Sequence, residues 1–452
     1  MAGLLAGVAG MAFTFSPVLT AGAALAGALV AAVMLHPPVA AYLVVSVTLL
    51  TAGMPRGDLS LLTGEPSTTG GFVPLLRPSE AITLLVGAGL LARGLVRTVS
   101  HGRPSVRFTP VDAALLLLVV SGSLLPLLWM GARAKPITSD DFLYAISLWR
   151  LYAVFLIVRT SVRSDAQVRR CLLLAMMSAA VVAVVAILQS LELFGVPQLM
   201  ARYYPREAGL TFAPNRGTST LGSSLITGNV MAFNLGLAFA FLAARRQRRG
   251  MMIAASALFI VGALATGQFS AVIALLVVVG AVGFLTGQLT KRLLMLLPTG
   301  VVAAVLLQPV IEARLARINP EEGLPTSWLA RLDNLRNYFW PELFSNFNYV
   351  LGVRPAARLP SNDPSNEFVW IESGHTWLLW AGGIPMFVAF FVFVVVAVRA
   401  LLPATRGPKT PVSVAAVAAL SALAVVVVLM AVDPQLTGRG ASELLFSLIA
   451  LG

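Results

Sequence analysis

Apolar residues fill most of this chain in long unbroken runs, with polar residues confined to the connections between them. The runs reach about 17–25 residues, the length of helix that crosses a hydrocarbon core. They predict spans at roughly 18–35, 38–54, 79–97, 110–130, 142–160, 171–195, 221–243, 251–266, 270–290, 293–310, 373–398, 411–432 and 437–452. Residues 2–15 form another short span or extend the 18–35 helix through a kink at Pro17. One stretch breaks the pattern. Residues 309–372 are polar and charged, and a loop that long inside a compact chain is usually functional. Within it, Trp328, Leu332, Leu335, Phe339 and Leu343 recur at three- and four-residue steps and predict an amphipathic helix. The expected fold is all-α: a polytopic transmembrane helical bundle of about 12–14 spans with one large extracytoplasmic loop containing short helices. The expected division is an N-terminal bundle at 1–308, the loop at 309–372 and C-terminal helices at 373–452.

Composition supports the membrane reading. Of 452 residues, 58% are hydrophobic and 11% charged, against about 25% charged in soluble domains. The net charge of +13 would suggest nucleic acid in a soluble protein, but its distribution marks orientation instead. Five alternating connections carry Arg93, Arg97, Arg103 and Arg107; Arg159, Arg163, Arg169 and Arg170; Arg245, Arg246, Arg248 and Arg249; Lys291 and Arg292; and Arg399, Arg406 and Lys409, with Asp165 as the one acid among them. The positive-inside rule places these in the cytoplasm, in contact with anionic lipid. Loops 55–78, 131–141, 196–220, 309–372 and 433–443 then face outward. The expected location is a cytoplasmic membrane, multi-pass, with no nucleic-acid partner. The first residues, MAGLLAGVAGMAFTF, lack the basic start of a cleavable signal peptide, so retention is expected. Cys171 stands alone and His36, His101 and His375 are far apart, so neither an internal disulfide nor a metal site is expected. No convincing internal repeat is present, which counts against a secondary transporter.

The candidate chemistry lies at the outward end. Arg202, Arg206 and Arg216 in one outer loop suit an anionic ligand such as a pyrophosphate, or else anchor lipid headgroups. Arg150 lies within the 142–160 span, where it forms a structural pair, with Glu192 the nearest intramembrane acid in sequence, or lines a cavity. The long loop carries Arg314, Arg317, Arg331, Arg336, Arg354 and Arg358. At its junction with the next span, Glu372 precedes His375 by one helical turn, so the carboxylate could orient the imidazole or raise its pKa. His375 is a candidate general base, or an ordinary interfacial or capping residue.

Three segments resemble the bacterial O-antigen ligase and O-antigen polymerase superfamily. REAGLTFAPN (206–215) looks like that family's entry into a span. The loop helix around Arg331, followed by Leu351-Gly352, is similar to a second element. GHTWLLWAGGIP (374–385) is similar to a third, with Thr376 in place of the usual Asn and Pro385 where Gly is more common. The resemblance implies a metal- and cofactor-independent glycosyltransferase acting on the outer face of the membrane. Its donor would be a polyprenyl-pyrophosphate-linked glycan and its acceptor a glycan, lipid or protein. Arg206, Arg216, Arg331 and Arg354, with Arg150 and Arg202, would hold the donor pyrophosphate, and His375 backed by Glu372 would take the acceptor proton. The competing expectation is a transporter or flippase for an anionic lipid or solute.

Overall fold

The computed structural model describes residues 17–54, 76–101, 108–204, 216–244, 248–361 and 368–452. Helices dominate it: α1 (Pro17–Leu35), α2 (Pro38–Thr51), α3 (Pro78–His101), α4 (Pro110–Gly122), α5 (Leu124–Ala132), α6 (Ser139–Ser161), α7 (Asp165–Ser190), α8 (Val196–Tyr203), α9 (Ser224–Ala244), α10 (Arg249–Ala265), α11 (Phe269–Thr286) and α12 (Leu289–Leu306). There follow α13 (Gln308–Leu315), α14 (Thr326–Asn334), a π-helical turn (Leu335–Phe339), α15 (Trp340–Phe344) and α16 (Asn348–Leu351). A small hairpin of β1 (Arg358–Pro360) and β2 (Phe368–Trp370) leads into α17 (Gly374–Arg406), α18 (Pro411–Leu429) and α19 (Ala441–Leu451).

Every expected span from 18–35 onward is matched by a helix. Among the described residues, eight are long and apolar enough to cross a membrane by length and composition: α3, α4 continued by α5, α6, α7, α9, α11, α17 and α18. The bend of 83° between Leu297–Leu306 and Gln308–Leu315 makes a ninth if the two are one span. Gly22–Leu35, α2, α10 and α19 are apolar but shorter. The protein is therefore an all-α, polytopic helical membrane protein. The possible span at 2–15 lies outside the described residues.

Helix α9 is the axis of the bundle. Nearly all of it is buried, and it packs against α7, α10, α11 and α18. The loop stretch 309–372 belongs to the same body. Leu335, Phe339, Leu343, Val353, Ala357, Val369 and Ile371 are buried in one cluster with the bundle helices. The amphipathic stripe sinks inward along its length: Leu335, Phe339 and Leu343 are buried, Trp328 and Leu332 partly so. Phe339 meets Trp380 edge-on at 5.2 Å.

The most consequential feature is a break within α17. Gly383 adopts φ 65° and ψ −157°, which divides the element into a half-helix ending at Gly382 and a long helix restarting before Pro385. Pro385 suits that restart, because a helix's first turn has no use for its missing N–H. Backbone polar groups freed by a break inside an apolar bundle need protein partners. Trp380 O accepts from Val353 N at 2.7 Å and Arg354 N at 3.3 Å, while Trp380 Nε1 donates to Ala356 O at 3.0 Å. The approach is close enough to exclude side chains: a Cβ on Gly383 would lie 2.4 Å from Val350 O, and one on Gly352 (φ 90°) 3.0 Å from Gly382 N. The Leu351-Gly352 and GHTWLLWAGGIP segments thus pack against each other.

Gly383→Ala should lower stability by at least about 2 kcal/mol through left-handed strain plus the clash. Thermal unfolding in detergent checks this. The control Gly280→Ala, whose new methyl meets open space in α11, should hold or raise stability.

Candidate functional site

A cavity of about 710 Å³ opens beside the segments that flank α17, with Ala357–Arg358, Trp370–Glu372 and Asp433–Gln435 among its walls. Its described walls come from four of the loops expected to face outward, from the first turns of α6 and α9, and from Gln268 before α11, with the fifth, 131–141, contributing Asp140. No residue of the five basic connections lines it. Six guanidinium groups face it, from Arg77, Arg216, Arg314, Arg331, Arg358 and Arg439, against three carboxylates, Asp140, Glu372 and Asp433. The first turn of α9, Ser224–Ile226, also lines it. Such a lining favours an anion with several oxygens.

Local structure explains how each side chain is held. Arg331, from the last turn of α14, donates through Nη1 to Val432 O at 2.9 Å and lies 3.3 Å from Glu372 Oε1 through Nε. It therefore ties the loop helix to both carboxylate-bearing segments. The half-helix of α17 starts from an N-cap at Ser373, whose Oγ accepts from Thr376 N at 3.3 Å. Gly374 N donates to Met430 O at 2.8 Å, which fixes the 430–440 loop beside it. Arg358 grips Asp140 with two hydrogen bonds of 2.6 and 2.8 Å. Arg314 donates to Ser327 Oγ at 3.3 Å and lies over the Phe269 ring. Arg77 donates to Ala52 O at 3.1 Å.

The two acids at the centre are held away from their ordinary behaviour. Burial pushes the Asp433 carboxyl up to about 7, against the pull of Arg331 and with the charge of Glu372 adding to the rise. Burial also raises Glu372, again opposed by Arg331. A proton-accepting group poised near neutrality thus faces a cationic cavity.

The cavity brings together Arg216, Arg331 and Glu372 of the residues expected from the sequence, and leaves others apart. Arg206, with the whole of REAGLTFAPN, lies outside the described residues. Arg202 is exposed on α8, over the Tyr203 ring. Arg150 is not on the cavity wall. It is sealed in an ion-pair cluster, 3.1 Å from Glu80 and 2.7 Å from Glu443, and Arg439 Nη2 reaches the same Glu80 at 3.7 Å. Glu192, the partner suggested by sequence proximity, is exposed at the end of α7 with φ 56°. Arg354 is also held elsewhere, bound through Nε and Nη2 to the fully buried Asp141 at 2.9 and 2.6 Å. Its place is to pin the loop to the start of α6. His375 is half-buried off the cavity wall, its ring 6.2 Å from that of Phe387. Thr376 Oγ1 accepts from Trp340 Nε1 at 3.3 Å.

Sequence reasoning missed Arg77, Arg439 and Asp433, and mentioned Arg314 and Arg358 only as loop charges. A signal was present. Arginines on loops opposite the basic connections run against the orientation bias and mark a local use. No family model matches the chain, and a search of curated proteins finds no match.

Two outcomes are expected. Arg354→Met leaves the buried Asp141 charge unpaired and should cost about 3–5 kcal/mol in unfolding measurements. Asp433 has a folded pKa above its unfolded value of 3.8, so its stabilising contribution is complete below that pH and is lost as pH rises through about 7. Asp433→Asn should flatten that part of the pH–stability curve.

Proposed function

We propose that this chain is a glycosyltransferase of the O-antigen ligase and polymerase kind, transferring or polymerising glycan from a polyprenyl-pyrophosphate-linked donor. In this reading the bundle has about 12–14 spans and sits in a bacterial cytoplasmic membrane, with the cavity on its outer face. The observation that carries the reading is the cavity itself, in which six arginines share the wall with a pair of carboxyls whose pKa is raised. A leaving pyrophosphate needs dispersed positive charge, and arginines can supply it without a metal.

Arg331 and Arg216 hold the donor pyrophosphate, with Arg314, Arg77 and Arg439 completing the anion field. The acceptor hydroxyl attacks the anomeric carbon. The bond between that carbon and the phosphate oxygen breaks, and its electron pair leaves with the polyprenyl pyrophosphate. The hydroxyl proton passes to a cavity carboxylate. Asp433 is the better placed base than His375, since it faces the cavity and its carboxyl, raised to about 7, is a stronger proton acceptor than an ordinary carboxylate once deprotonated. His375 becomes a positioning residue whose backbone N–H meets Met430 O at 3.3 Å, close to the loop that carries Asp433.

The test is a reconstituted assay that follows release of polyprenyl pyrophosphate and product length. Asp433→Asn should reduce transfer by about 10²-fold or more, and His375→Ala should reduce it less; the reverse order would return the base to His375. Wild-type activity should rise as pH rises through about 7, because the acceptor proton needs a deprotonated Asp433. A ladder of lengths means a polymerase and a single transfer a ligase. Absence of release from folded protein across several donors would favour transport of an anionic lipid.

A further inference from the structure

One pair of side chains on the cavity wall is left unused by this mechanism. Asn229, in the second turn of α9, and Gln435, in the loop after α18, are 3% and 5% exposed. Asn229 Nδ2 donates to Gln435 Oε1 at 2.5 Å. Among the described residues, the other half of each amide, Asn229 Oδ1 and Gln435 Nε2, is buried without a protein partner. Both residues line the cavity. A buried polar group without a partner is costly and uncommon in native structures, so a pair of them on one wall requires an explanation.

The chemistry of the pair narrows that explanation. One acceptor and one donor are left over. Turning both amides over exchanges their positions yet leaves the same complement, so the argument holds for either assignment. A phosphate oxygen satisfies the donor but confronts the acceptor with a second acceptor. A cation fails in the opposite way. A neutral group that donates and accepts together satisfies both, and a sugar hydroxyl is such a group. The arginines therefore suit an anionic part of a ligand, and the amide pair a neutral, hydroxyl-bearing part. A glycosyl pyrophosphate has those two halves.

We infer that Asn229 and Gln435 form a sugar-recognition subsite that reads a hydroxyl of the donor glycan at its pyrophosphate-linked end. The inference rests on the glycan-transfer reading. It assigns to the amide pair the discrimination between a glycosylated lipid pyrophosphate and the bare lipid pyrophosphate left after transfer. The product loses the group that the pair holds, and so is bound less tightly than the donor.

The experiment measures binding to the purified protein in nanodiscs of three probes: bare polyprenyl pyrophosphate, and the same lipid bearing one hexose or one N-acetylhexosamine. Wild type should bind all three and at least one glycosylated form about tenfold more tightly than the bare lipid. The near-isosteric Asn229→Leu and Gln435→Met should each erase that gain while leaving affinity for the bare lipid unchanged, which also reports an intact fold. If Asn229→Leu loses the bare lipid as well, Gln435→Met decides alone. A wild type that binds the bare lipid but gains nothing from either sugar overturns the subsite and spares the glycan-transfer reading. So does a gain retained in folded variants, as a pair satisfied by water alone would give. A wild type that does not bind bare polyprenyl pyrophosphate overturns the glycan-transfer reading, and the subsite falls with it.

Discussion

A helix interrupted inside an apolar bundle leaves amides and carbonyls that lipid cannot satisfy, and this molecule depends on how that need is met. The interruption at Gly383 is answered by the 352–357 segment, which donates to Trp380 O from two residues and accepts the Trp380 indole N–H. The other end of the half-helix binds Met430 O through Gly374 N. Half-helix, loop and the turn after α18 therefore form one unit. Glu372 enters that unit and Asp433 leaves it, so the carboxyls owe their closeness to backbone hydrogen bonds rather than to each other. Like charges brought together must be held, and the rigid unit with Arg331 between them does so.

The arginines divide into two populations with different physics. Arg150 and Arg354, and Arg159 beside Asp112, face buried or nearly buried carboxylates away from the cavity. Desolvation offsets much of the attraction in such pairs, so their contribution lies in position more than in stability. The Arg150 cluster reaches through Glu443 to the backbone of Gly440, and through Glu80 to Arg439, so it braces the far end of the loop that carries Asp433. Among the cavity arginines, Arg77 donates to a carbonyl, Arg314 to a hydroxyl and Arg331 to a carbonyl, while Arg358 is paired with Asp140 on the cavity wall itself.

The helices were legible in the sequence because a hydrocarbon solvent imposes one length and one polarity on every span. Glu372 and Arg216 were legible because each stands at a junction between polar loop and apolar run, and Arg331 because it lies on the amphipathic helix of the polar stretch. The fate of Arg150 and Arg354 was not, since pairing across more than 200 positions, as between Arg354 and Asp141, leaves no local trace. Asp433 sits in a short turn between two apolar helices, where nothing in its neighbours distinguishes it. Its raised pKa comes from burial, with Glu372 adding to it and Arg331 opposing it, and only the fold brings these about. The loss of His375 from the cavity has the same origin. Spacing places it on one face with Glu372, but Glu372 lies before the first helical residue, so the helical rule that relates them does not apply.

The cavity wall runs from Ala52 to Arg439, so its pieces leave the ribosome far apart in time. Of the charged wall residues, Arg77 and Asp140 emerge first, and the turn that carries both Asp433 and Arg439 emerges after the other wall segments. Until that turn arrives, Arg331 lacks the Val432 carbonyl and the half-helix lacks Met430 O. A partly inserted chain thus has Asp140, Glu372 and five of the six wall arginines, but not Asp433, Arg439 or the carbonyls that hold Arg331 and the half-helix. Arrival of the 430–433 turn supplies both carbonyls together, so the site is completed in one step rather than wall by wall.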